Sequence, residues 1–160
     1  ILAAGVTGFD TEAKPTFHKG EKSAGPHIIQ FALTDHAYIF QLQHEACEIA
    51  AAEIIASNHI LKVGFGLKND HTQIRNRFGI ELIHVLDLDQ VYHKAGYGRN
   101  IGVRAAIGLQ LQQCFKKSKS ITMSNWALDT LSPRQLKYAA NDAFAALKIM
   151  EDLQADDLID

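Results

Sequence analysis

Apolar positions along the chain recur first with a period of two and later with a period between three and four. Ala4 to Glu12 reads as a strand running into a polar, turn-rich segment from Lys14 to Pro26. Ile28 to Leu33 and Tyr38 to Phe40 flank Asp35-His36 and predict an antiparallel hairpin, so three strands come first. From Glu45 to Ala56, the residues Ala46, Ile49, Ala50 and Ile54 fall at helical spacing, and Leu61 to Phe65 returns to a strand. A helix from Asn69 to Phe78, ended by Gly79, and a strand from Ile83 to Leu88 follow. Tyr92 to Gly102 then reads as loop, and Ile101 to Phe115 as a helix with Val103, Ala106, Ile107, Leu111 and Phe115 on one side.

The last helix has the clearest start. Ser132 at the cap, Pro133 in the first turn and Gln135 three residues after the serine make a capping-box pattern. Leu136, Ala139, Ala140, Ala143, Leu147 and Met150 then supply an apolar face. Three antiparallel strands followed by parallel α/β units predict one α/β domain over residues 1–160, a mixed sheet with helices on both faces.

Composition narrows the class without naming it. The 160 residues are 47% hydrophobic and 21% charged, ordinary for a folded domain. No apolar run approaches the roughly 20 residues that span a bilayer, and Ile1-Leu-Ala-Ala-Gly5 is unlike a secretion signal; a soluble, intracellular, cytoplasmic protein without a membrane partner is expected. Cys47 and Cys114 have neither disulfide-framework nor zinc spacing and read as small core residues. The eight histidines show no metal spacing, and no phosphate-binding glycine loop occurs. A net charge of −2 does not attract polyanions by itself, so any phosphate contact has to come from local charge such as the Lys116 to Lys119 run.

Asp10 and Glu12 lie two apart in a strand, and both side chains point to one face; their repulsion is relieved if a hard cation sits between them. Tyr138 and Asp142, four apart, share one face of the last helix. Asp70 opens a helix just after Gly64-Phe-Gly66. Taken singly, each has an ordinary reading: solvated acids at a strand end, a surface acid beside a core-edge tyrosine, and an acid favoured by the helix dipole. Asp87 and Asp89, alternating with Leu86 and Leu88, read as acids pointing to solvent at a strand end.

In combination, Gly8-Phe-Asp-Thr-Glu-Ala-Lys-Pro15, Val63-Gly-Phe-Gly-Leu-Lys-Asn-Asp70 and Leu131 to Ala143, containing Tyr138-Ala-Ala-Asn-Asp142, resemble the three motifs of the 3′-5′ exonucleases of the ribonuclease H-like superfamily. The tyrosine places the chain with the branch typified by ribonuclease D and the Werner-syndrome exonuclease domain; the sibling branch carries a histidine where Lys137 stands. The resemblance spans almost the whole chain. Members often carry sequence before the first strand, so a domain cut from a longer protein is expected.

The resemblance implies a ribonuclease H-like fold and a catalytic set of Asp10, Glu12, Asp70, Tyr138 and Asp142. Asp10, Glu12 and Asp142 would bind one Mg²⁺ or Mn²⁺, while Asp10, and Asp70 through water, would hold a second. Tyr138 would orient the attacking water. The implied substrate is nucleic acid, DNA or RNA, with a free 3′ end, single-stranded or tailed, cut to nucleoside monophosphates. Thr11, Phe17 and Lys68 are candidate substrate contacts; Phe17 could stack on a terminal base or pin its loop to the core. Two other readings stand beside this one: a catalytically idle module that binds nucleic-acid ends or a protein partner, and a phosphodiesterase for small nucleotides.

Overall fold

In the computed structural model, which describes residues 1–18, 20–21, 23–155 and 159, the alternation of β1 (Val6–Glu12) divides the protein into two layers. Phe9 and Thr11 turn to one face of the sheet, and Gly8, Asp10 and Glu12 to the other. β2 (Ile28–Ala32) and β3 (Ala37–Gln41) form the hairpin anticipated around Asp35-His36. The sheet order is β3-β2-β1-β4-β5, with β1, β2 and β3 antiparallel and β4 (Leu61–Gly64) and β5 (Val85–Asp87) added in parallel on the other side of β1. The mixed sheet and its two helical layers therefore match the expectation.

On the first face, Phe9, Ile29 and Phe31 pack with Ala51, Ile54 and Ile55 of α1 (Glu45–Ala56) and Ile74 of α2 (Lys68–Phe78). The buried stripe of α1 differs from the one its spacing suggests, for Ile49 is 63% exposed. On the second face lies α6 (Pro133–Ala155), about 35 Å long at 1.5 Å per residue, crossing β1 to β4. Its capping box forms as read: Gln135 N donates to Ser132 Oγ, and Ser132 N to Gln135 Oε1. Gly8 allows the close approach, since a Cβ there would overlap the Ala143 carbonyl. Leu136, assigned to the apolar face, is 40% exposed.

Four sequence readings change. The fifth strand is only Val85–Asp87, because Asp87 accepts from Asp89 N at 3.1 Å and so caps a helix, α3 (Leu88–Lys94), that takes in Tyr92 from the supposed loop. Asp87 and Asp89 consequently do not point to solvent: Asp87 also accepts from Gly66 N and Leu67 N at 2.9 and 3.0 Å, and the buried Asp89 accepts from Gly102 N at 2.9 Å. The helix expected over 101–115 is α4 (Gly102–Gln110), broken where Gln112 takes a left-handed backbone with φ 51°. Neither cysteine is in the core: Cys47 is half-buried, and Cys114, in the irregular segment before the short α5 (Lys119–Thr122), is exposed.

Candidate active site

Two adjoining elements deliver the acids. The last residues of β1 carry Asp10 and Glu12 toward the second face, and the tight Gly8–Ala143 packing brings Asp142 down over them. Carboxylate oxygens of Asp10, Glu12 and Asp142 lie within 4.8 Å of one another. Asp142 is 5% exposed, and neither of its oxygens accepts a well-formed hydrogen bond.

Three carboxylates so close, and drawn from water, resist ionisation. Burial, followed by the charges of Asp142, Glu12 and Asp70, pushes Asp10 well above the usual carboxylate range. Glu12 is raised to about 8, mainly by burial and then by Asp142, with Lys117 opposing. Asp142 is raised by burial, against the pull of Lys117. The donors are all hard oxygens crowded within 4.8 Å of one another, and they fit a divalent cation such as Mg²⁺ or Mn²⁺, whose charge would remove the repulsion.

Asp70 stands outside this three-acid group. Its place is set from behind, as Asp87 grips the Gly66-Leu67 turn that opens α2. The Thr11 hydroxyl donates to Asp70 Oδ1 at 2.5 Å, and burial raises Asp70 to about 6 against that bond. Thr11 therefore faces away from the acids that flank it and is engaged in holding Asp70.

Tyr138 is 8% exposed, its hydroxyl 2.8 Å from Thr122 Oγ1 and its ring packed against Trp126. Burial raises the phenol above its ordinary value, so it remains protonated at neutral pH. Phe17 is 72% exposed, which removes the alternative that it pins the loop to the core. Lys68 is exposed at the start of α2, in a groove it shares with Asp87, Asp89 and Arg99.

Sequence reasoning missed the places of Thr122 and Gln30 beside the acids, and named Lys117 only within the Lys116 to Lys119 run as a source of phosphate contact. Lys117 Nζ lies 2.8 Å from Asp142 Oδ2 and 5.4 Å from the Tyr138 ring centre. Burial alone would lower its pKa, yet Asp142 and Asp10 raise it above the usual lysine value. It sits in an irregular segment, where no periodicity marks a face. Thr122 positions Tyr138 from a four-residue helix without a pattern of its own. Gln30, directly across from Asp10 in the β1–β2 pairing, is fully buried, and a lone polar residue within Ile28-Ile-Gln-Phe-Ala32 was its only sequence signal.

A groove of about 420 Å³ opens beside this centre. Lys116, Arg134 and Lys137 line it, and Tyr138 is common to the groove and the acid cluster.

Comparison with known proteins agrees with this geometry. A family model described as 3′-5′ exonuclease matches residues 1–156. A 3′-5′ exonuclease of Arabidopsis thaliana is 26% identical over 151 residues, covering 91% of this chain and 52% of the relative. The bifunctional 3′-5′ exonuclease/ATP-dependent helicase WRN of Mus musculus is 29% identical over 155 residues, covering 92% of this chain and 11% of that protein. The chain thus spans about half of one relative and a small part of the other. Among solved structures, Trypanosoma brucei ribonuclease D in complex with RNA U12 superposes with a TM-score of 0.80 at 16% identity, covering 94% of this chain and 56% of that one. The fold is that of the ribonuclease D-like exonucleases, within the ribonuclease H-like class.

Proposed function

The chain belongs to the 3′-5′ exonuclease family, and from that premise we propose that it hydrolyses the terminal phosphodiester at the 3′ end of a DNA or RNA strand, in a divalent-metal-dependent reaction releasing nucleoside monophosphates. The observation that carries this reading is the meeting of Asp10, Glu12 and Asp142 within 4.8 Å, beside a protonated tyrosine.

Asp10, Glu12 and Asp142 would hold one cation, and Asp10 with Asp70 a second. Bound Mg²⁺ or Mn²⁺ would supply an activated water and neutralise charge on the phosphate and the departing 3′ oxygen. Tyr138, kept protonated, donates to and orients the attacking water rather than removing its proton. Thr122 fixes the direction of that phenol. Lys117 sets a positive charge beside Asp142 and the Tyr138 ring, near the position where the scissile phosphate gains charge.

A nucleic-acid substrate is supported by local charge rather than by the net charge. Lys116, Arg134 and Lys137 line the groove that reaches Tyr138, a path suited to the phosphates of a single strand. The exposed Phe17 and Lys68 are proposed to meet the terminal nucleotide.

The test is release of labelled mononucleotide from 3′-labelled single-stranded DNA, tailed duplex and RNA, with Mn²⁺ or with chelator. Mn²⁺-dependent release of the 3′ nucleotide is expected. Binding of strand ends without hydrolysis would instead identify an idle end-binding module, and cleavage confined to dinucleotides a small-nucleotide phosphodiesterase.

A further inference from the structure

Gln30 lies beside the acid cluster, and the packing does not explain a polar side chain there. It occupies the centre of β2, a strand buried throughout, and has no solvent exposure. Among the described residues neither its Oε1 nor its Nε2 has a hydrogen-bond partner. A buried carboxamide left in this way is unfavourable, and an apolar side chain of similar size would serve a purely structural position better.

The sheet register indicates what the amide serves. Gln30 pairs with Asp10 on β1 and with Ile39 on β3. Side chains directly opposite in an antiparallel pair share a face, with Cβ atoms about 4.5–5.5 Å apart, within reach of a carboxamide. Of these two neighbours only Asp10 offers hydrogen-bond acceptors. A carboxylate that ligates a cation through one oxygen commonly has the other fixed by a donor behind it.

We infer that Gln30 is a positioning residue for Asp10, its Nε2–H donating to the carboxylate oxygen that the cation does not use. The inference rests on the proposed role of Asp10 as a metal ligand, and deepens it. Donation to the ionised carboxylate favours the charged form and holds the side chain in one rotamer, which preorganises the site for the cation. The buried amide is thereby a feature selected for the loaded site, at the expense of the metal-free fold.

Gln30→Leu separates this role from a structural one. Mn²⁺ affinity is measured by calorimetry, melting temperature in chelator by circular dichroism, and kcat on a 3′-labelled strand. The expected result is Mn²⁺ affinity weaker by roughly 10-fold or more with a parallel loss of kcat, while the melting temperature in chelator is maintained or raised. Gln30→Met, unbranched and of matching length, gives the same three readouts should the leucine variant fail to fold. Unchanged Mn²⁺ affinity in a folded variant would overturn the inference, and a lowered melting temperature with unchanged affinity would show instead an amide satisfied inside the core. Were the wild-type protein to bind Mn²⁺ without cutting any strand, the proposed nuclease activity would fall, whereas the effect of Gln30 on affinity would still be read.

Discussion

Thr11 and Asp70 are joined by a hydrogen bond of 2.5 Å that ties the end of β1 to the first turn of α2. The bond stabilises the ionised Asp70 carboxyl, which burial nevertheless raises to about 6 with the bond in place. Thr11→Val keeps the shape and removes the donor, so the Asp70 pKa rises further. If ionised Asp70 supports the reaction, the acid limb of the kcat/KM profile moves upward by roughly one pH unit, a loss of about threefold at pH 6.5 that approaches tenfold below about pH 5 and is recovered near pH 9. A pH–rate profile checks this, and superimposable profiles for the two proteins would show that Thr11 does not tune an ionisation on which the rate depends.

Tyr138→Phe separates orientation of water from metal binding. The phenol points to Thr122 and its ring packs on Trp126, so the phenylalanine retains the packing and loses the hydroxyl. A fall in kcat on the order of 10²-fold is expected, with Mn²⁺ affinity within about twofold of the parent by comparison with group-specific losses. Asp10→Ala, by contrast, should abolish both. Mn²⁺ titration of the two variants decides, and an equal loss of affinity in both would defeat the orienting role.

Much of this centre could be read in the sequence because it rests on regular periodicity. Asp10 and Glu12 share a strand face, Tyr138 and Asp142 a helix face, and Ser132 with Gln135 announces the start of that helix; each follows from one repeat distance. What escaped lies where the chain has no period. Lys117 lies in the irregular segment that follows the left-handed backbone at Gln112, a state that glutamine rarely adopts and that no pattern signals. The Asp-Leu-Asp alternation at Asp87 and Asp89 suits a strand end as well as a helix cap, and the backbone amides of Gly66, Leu67 and Gly102 that they accept from distinguish the two. The buried face of α1 differs from the one its spacing suggests because an alanine-rich helix offers several equivalent apolar stripes, whereas on α6 Ala139, Ala143, Leu147 and Met150 are buried as expected and Leu136 is exposed.

The carboxylate cluster should make the metal-free protein less stable as pH rises. Glu12 titrates near 4.5 when unfolded and about 8 when folded, so within that window the folded protein retains a proton that the unfolded chain releases. Stability therefore declines from about pH 5 to pH 8 in chelator, and Mn²⁺ should reverse the decline. Glu12→Gln removes one contributor. Solvent at the open edge of Glu12 reduces the gain to about 1 kcal/mol, or roughly 2–4 °C, at pH 8 in chelator. Thermal melts at pH 5 and 8 test the sign; a variant that melts lower than the parent at pH 8 would show the acids to be structurally favourable without metal.

Lys62 presents the opposite case, a buried cation outside the acid cluster. It has no solvent exposure, and its Nζ donates to Ser57 O at 2.6 Å and to Ile54 O at 3.4 Å, meeting carbonyls at the C-terminal end of α1. Burial lowers its pKa to about 8. Below that value the folded protein carries the full penalty of a desolvated ammonium; between about 8 and 10.5 the unfolded chain binds the extra proton, so the penalty is relieved as pH rises. Lys62→Met loses the two carbonyl contacts and the penalty together. Relative to the parent, the variant should therefore be most favourable at pH 7 and lose about 1–2 kcal/mol of that standing by pH 10, read as the difference between paired urea melts. A difference independent of pH would show that Lys62 keeps an ordinary lysine pKa in the fold and acts through its carbonyl contacts alone.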